Sequence, residues 1–145
     1  MEISWRWEPG VSVGPFYFGA DANPVISWLK LQKLDPDYEG ADWDTYEVPT
    51  LESRIMVETG LVSGVLCCDR LIYNGKNLLG LPLGEIRSIL GPEDSITENI
   101  SLGEAVYYKQ LGLTLWLAGG VVRSATCNAI IADVTDVPFS GTGAV

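Results

Sequence analysis

The chain echoes itself at long range, and that echo limits the possible fold more than any other feature. Phe18-Gly19 stands ahead of one helix-forming stretch as Leu83-Gly84 stands ahead of another. Val25, Trp28 and Leu29 are matched by Ile86, Ile89 and Leu90, Gly60-Leu61-Val62 by Gly120-Val121-Val122, and Cys67 by Cys127. The offset drifts between 60 and 65 residues, so the two stretches align only with gaps. Two unrelated β-meanders would share part of this pattern; a duplication would share all of it. In the duplicated case, residues 11–73 and 74–134 each hold a strand, a helix and a three-stranded meander. Two such units are expected to give an α+β fold, one antiparallel sheet of six to eight strands with both helices packed on one face.

Local patterns fill in the units. Ile3, Trp5 and Trp7 alternate with Ser4 and Arg6, the period-2 mark of a half-buried strand, which Pro9-Gly10 ends. A second extended stretch runs from Val11 to Phe18 across Gly14-Pro15. Asn23 is placed to cap a helix that opens on Pro24, with Val25, Ile26, Trp28 and Leu29 as its apolar stripe and Asp35-Pro36 beyond its end. Strands are expected at Ile55 to Val57, Leu61 to Cys68, Leu71 to Tyr73, Ala105 to Lys109, Leu113 to Leu117 and Val121 to Ile131. A short helix from Glu85 to Leu90 stops at Gly91-Pro92. Trp5, Trp7, Trp28 and Trp116 all sit in periodic apolar settings and are expected in the core, while Tyr107-Tyr108 puts one ring on each side of a strand. A single domain over residues 1–135 is expected, with 136–145 as a loose tail.

Composition excludes several classes. With 145 residues, 47% hydrophobic and 19% charged, the chain can build a core without disulfides. The opening MEISWRWEPG offers neither a basic stretch nor an apolar one, so no secretion signal is expected and the cytoplasm is the expected location. The longest apolar run, Leu111 to Val122, falls short of the ~20 residues that cross a bilayer. Three cysteines, two of them adjacent as Cys67-Cys68, make a poor disulfide framework and read as reduced thiols. The absence of His removes the common catalytic triads and the usual neutral-pH proton shuttle, no phosphate loop or dinucleotide fingerprint is present, and no enzyme or cofactor is predicted. A net charge of −10 opposes nucleic acid and favours basic partners.

That charge concentrates in DPDYEGADWDTYE, Asp35 to Glu47. Asp35, Asp37, Glu39 and Gly40 fit the opening of a calcium loop, but Tyr46 stands where a bidentate Glu is needed and the sequence beyond is strand-like. The segment then reads either as a hydrated connector or as a contact surface. In the second reading Asp35, Asp37, Glu39, Asp42, Asp44 and Glu47 attract a cationic protein while Tyr38, Trp43 and Tyr46 supply contact area.

The second half, LLGLPLGEIRSILGPED followed by EAVYYKQLGLTLWLAGGVV, resembles the repeat unit of the β-lactamase-inhibitory-protein and SmpA-like superfamily of helix-plus-meander modules. The likeness covers roughly 55 residues well and the first half weakly. It implies a protein-binding role, either blocking an enzyme or helping to assemble a complex. The chain lacks the disulfides of the inhibitors. Its size and acidity are also those of bacterial immunity proteins. The expectation is therefore a cytosolic immunity or inhibitor protein that covers a basic toxin such as a nuclease, with an SmpA-like assembly module and a calcium-binding protein as alternatives.

Overall fold

The computed structural model describes residues 3–35, 43–49, 51–99 and 103–130. The N-terminal ribbon is β1 (Trp7–Glu8), β2 (Ser12–Val13) and β3 (Phe16–Tyr17), followed by α1 (Asn23–Leu29). Four strands come next: β4 (Gln32–Lys33), β5 (Asp44–Glu47), β6 (Arg54–Glu58) and β7 (Leu61–Cys67). A small hairpin, β8 (Ile72–Tyr73) and β9 (Lys76–Asn77), leads to α2 (Leu83–Leu90). The chain closes with β10 (Ser95–Asn99), β11 (Gly103–Tyr108), a single 3-10 turn, β12 (Leu113–Ala118) and β13 (Val121–Asn128). The fold is α+β, and its main sheet is antiparallel with eight strands in the order β10-β11-β12-β13-β7-β6-β5-β4.

The echo in the sequence is an echo in register. Tyr46 faces Ile55 and Ile55 faces Val65; sixty positions on, Val106 faces Leu115 and Leu115 faces Ala125. The bulge at Met56/Val57 recurs at Trp116/Leu117, and the Ser12–Tyr17 hairpin pair recurs as Ile72–Asn77. The halves meet where β7 pairs with β13: Cys67 opposes Ala125, Val65 opposes Cys127, and Leu66 opposes Thr126 between them. Each of these pairs is carried into another by the same sixty-residue step, so a pseudo-twofold axis passes through the Leu66–Thr126 pair.

The register also corrects the sequence alignment around the helices. Gly19 N donates to Val62 O and Val62 N to Ala20 O; the equivalents are Gly80 N to Val122 O and Val122 N to Leu81 O. Gly19 therefore corresponds to Gly80, and Leu83-Gly84 lies inside α2. By the same step the second unit opens at Leu71 rather than at residue 74. Asn23 is the first residue of α1 and caps nothing; the Asp21 carboxylate accepts from its backbone N–H at 3.0 Å. The helix ends at Leu29, with Lys30 in the left-handed region, well before Asp35-Pro36. The tight turns between β6 and β7 and between β12 and β13 both need two residues at positive φ, supplied by Thr59-Gly60 and Gly119-Gly120.

One face of the sheet is the core. Ile55, Val57, Val62, Val65, Cys67, Val106, Tyr108, Leu113, Leu115, Leu117, Val122, Ala125 and Cys127 point to it and join one buried cluster with Ile86 of α2, the N-terminal ribbon and Leu71 and Leu78. Val25, Ile26 and Leu29 of α1 pack on the same cluster, so both helices lie on this face. Burying a side chain such as Leu115 or Ile55 stabilises by about 1.5–3 kcal/mol, which is what holds the layers together. Trp5 and Trp7 are buried in it as expected. Trp28 and Trp116 are not: they are 56% and 43% exposed. In Leu113-Thr114-Leu115-Trp116-Leu117 the leucines take the core side, and strand alternation sends Trp116 to the other.

Candidate functional site

Residues directly opposite one another on neighbouring strands share a face. Following the ladders across the sheet, the face away from the helices carries an unbroken row of Gln32, Glu47, Arg54, Leu66, Thr126, Thr114, Tyr107 and Ser95. Beside this row lie Thr45, Met56, Gly64 and Asn128 on one side of the axis and Thr97, Ala105, Trp116 and Ser124 on the other. None of Met56, Leu66, Tyr107 and Trp116 belongs to the buried cluster, and among the described residues no helix or hairpin contributes a core contact here. The Trp116 indole N–H donates to Thr126 Oγ1 on the neighbouring strand at 3.0 Å. Among the described residues the result is a wide sheet face left bare by the helices, on which Trp116 is exposed and Met56, Leu66 and Tyr107 are half-buried among threonines.

The acidic segment attaches at one end of this face. Asp35 follows β4 and Asp44 opens β5, so the connection between the two outermost strands carries the acids. Its two ends are held together by Leu34 N donating to Thr45 O at 2.8 Å. Asp35 and Asp44 are exposed, and Trp43 is 37% exposed. Asp37, Tyr38, Glu39 and Asp42 lie outside the described residues.

The remaining members of the segment do not share one direction. Tyr46 faces Ile55 and packs half-buried against the core, so it offers less free ring than expected. Glu47 points to the bare face, where it pairs with Arg54 across 3.6 Å, while Asp44 points to the helix side and pairs with Lys33 at 3.5 Å. Both pairs are largely solvent-facing and contribute little to stability, but they neutralise part of the segment's charge. The paired acids of the segment are thus divided between the two faces of the sheet.

The thiols lie elsewhere. Cys67 and Cys127 sit buried on the core face, either side of the axis, and Cys68 points the other way. The hydrogen bond to Cys67 and then burial hold the Cys127 thiol well above its ordinary pKa, and burial raises that of Cys68 against the pull of Arg54. These shifts move Cys127 and Cys68 away from the thiolate form a nucleophile needs. Among the described residues no group of three or more His, Cys, Asp or Glu is placed to hold a metal ion, and no helix is long and apolar enough to cross a membrane.

The sequence reading missed the bare face. Its signal was present in the alternation of Leu113-Thr114-Leu115-Trp116 and Arg54-Ile55-Met56-Val57, where both sets of positions hold large residues but only one set is purely aliphatic. No family model matches the chain, and no curated protein or solved structure matches it significantly.

Proposed function

We propose that this chain works by stoichiometric binding of a basic protein, most concretely as an immunity or inhibitor protein for a bacterial toxin such as a nuclease. The observation that supports the reading is that β4 and β5, which flank the chain's densest acidic run in sequence, form one edge of the main sheet, with Glu47 on the face away from the helices. Large exposed apolar patches with a polar or charged border are what protein interfaces look like before their partner arrives. A nuclease must hold phosphate and is positive around its catalytic groups, so an acidic edge is its electrostatic complement. The test is co-expression with the toxin encoded beside this gene, followed by titration of toxin activity and stopped-flow association at two salt concentrations. One-to-one neutralisation is expected, with association that slows as salt rises and slows about tenfold or more when Asp35, Asp37, Asp42 and Asp44 are changed to Lys. No complex, or a complex indifferent to that reversal, sinks the reading.

A second reading, an assembly module of the SmpA-like kind, is favoured by Trp116 itself. It stands 43% exposed on the face away from the helices, diagonal to Tyr107 on the neighbouring strand. In that case Trp116→Ala and Met56→Ala abolish partner binding while the four-acid reversal leaves it intact.

A further inference from the structure

The pseudo-symmetry allows the two halves to be compared position by position, and at one place they differ in kind. In the second half, Tyr108 at the end of β11 reaches the end of α2, its hydroxyl donating to Gly91 O at 2.8 Å. The ring is buried and closes the gap between helix and sheet. In the first half the equivalent of Tyr108 is Val48, which is hydrogen-bonded across to Ser53 as Tyr108 pairs with Leu113. Val48 has neither the length nor the hydroxyl to reach the end of α1. The gap stays open there as a groove of about 610 Å³.

Its lining is mixed: Ile3, Trp28, Leu29, Val48, Leu51 and Ile72 supply the apolar part, with the Trp28 indole 56% exposed. The polar groups at the rim are Ser4, Lys30, Asp69 and Arg70. Asp69 is held by Arg70 at 3.2 Å, which leaves Lys30 with no ion pair among the described residues and gives the rim a net positive charge on a chain of net charge −10. A concave site of this volume, with apolar side chains beside charged groups, suits a small ligand that is itself part apolar and part charged.

We infer that the groove between α1, Val48 and the Ile3–Ile72 wall binds a small amphipathic anion, an aromatic carboxylate or sulfonate whose ring lies against Trp28 and whose charge meets Lys30. This is separate from the proposed partner-binding segment, since no residue from Asp35 to Glu47 lines the groove.

Anilinonaphthalene sulfonate is the probe, followed by its own fluorescence and by the shift of the Trp28 indole N–H resonance, with uncharged phenylnaphthylamine as comparator. Saturable one-to-one binding is expected, with the uncharged comparator weaker. Val48→Tyr, which rebuilds the plug of the second half, should abolish binding while circular dichroism stays native. Lys30→Glu should weaken it about tenfold, as expected for turning one exposed attraction into a repulsion. Should Val48→Tyr fail to fold, Trp28→Ala takes its place, because that exposed side chain can be removed without opening the core. Absence of saturable binding overturns the inference. So does binding that ignores Val48→Tyr, Trp28→Ala and Lys30→Glu and falls instead on Trp116→Ala.

Discussion

If Tyr108 is a plug, then removing it should cost the second half in a way that separates packing from hydrogen bonding. Tyr108→Phe leaves the ring and deletes only the bond to Gly91 O, worth about 0.5–1.5 kcal/mol net. Gly91 is only half-buried, so water can rescue its carbonyl and the value should fall at the lower end. Tyr108→Val removes the ring too. Truncating a buried ring to Ala costs about 3–5 kcal/mol, and the two carbons Val retains beyond Ala return roughly 0.8 kcal/mol each, so with the lost bond the total is about 2–4 kcal/mol. Burial raises the phenol pKa above its ordinary value, so the hydroxyl is protonated and donating throughout the neutral range. Urea unfolding at neutral pH, followed by circular dichroism, measures both variants against the parent. The reasoning fails if the two variants cost the same, since the hydroxyl would then carry everything. It also fails if Tyr108→Val costs under about 1 kcal/mol, since the ring would then close nothing.

Two further measurements bear on the fold. Thr59 occupies the left-handed region at φ 51, where a β-branched residue is strained by about 1–2 kcal/mol, so Thr59→Asn should raise stability by about 0.5–1 kcal/mol in urea; an unchanged midpoint would show the turn to be unstrained. Glu93 accepts two hydrogen bonds from Arg87, both at 2.9 Å, and this pairing lowers its carboxyl pKa from 4.5 to about 2. A carboxylate with a depressed native pKa stabilises above its unfolded value and loses that contribution as pH falls through the native one. The stability difference between the parent and Glu93→Gln should therefore be constant above pH 4.5 and shrink toward about 2, and a flat difference across that window would count against the pairing.

Much of the architecture was legible because apolar alternation and paired glycines report directly on strands and tight turns. Val62 and Val122, and Cys67 and Cys127, marked the repeat by themselves, since each pair keeps the same place in its strand. The helices misled the alignment: Gly80, the true counterpart of Gly19, belongs to a turn, and in sequence Leu83-Gly84 mimics it. Strands β5 and β10 went unread because Asp44–Glu47 and Ser95–Asn99 sit at or near the sheet's edges, where burial imposes no clean alternation. The acidic run was visible, but not that its two described ion pairs point to opposite faces. Nothing local predicted the groove, whose lining comes from the N-terminus, α1, the β5–β6 connection and the segment before β8. Only the contrast of Val48 with Tyr108, sixty residues apart, reveals it.

An assembly of two identical subunits must show each of its surfaces twice. Here the dyad at Leu66 and Thr126 runs through a single polypeptide, so the constraint is lifted and each side can change alone. One side has kept a filled seam; the other has opened a groove and gathered the acids. Specialisation in such a molecule is to be sought wherever the two sides disagree.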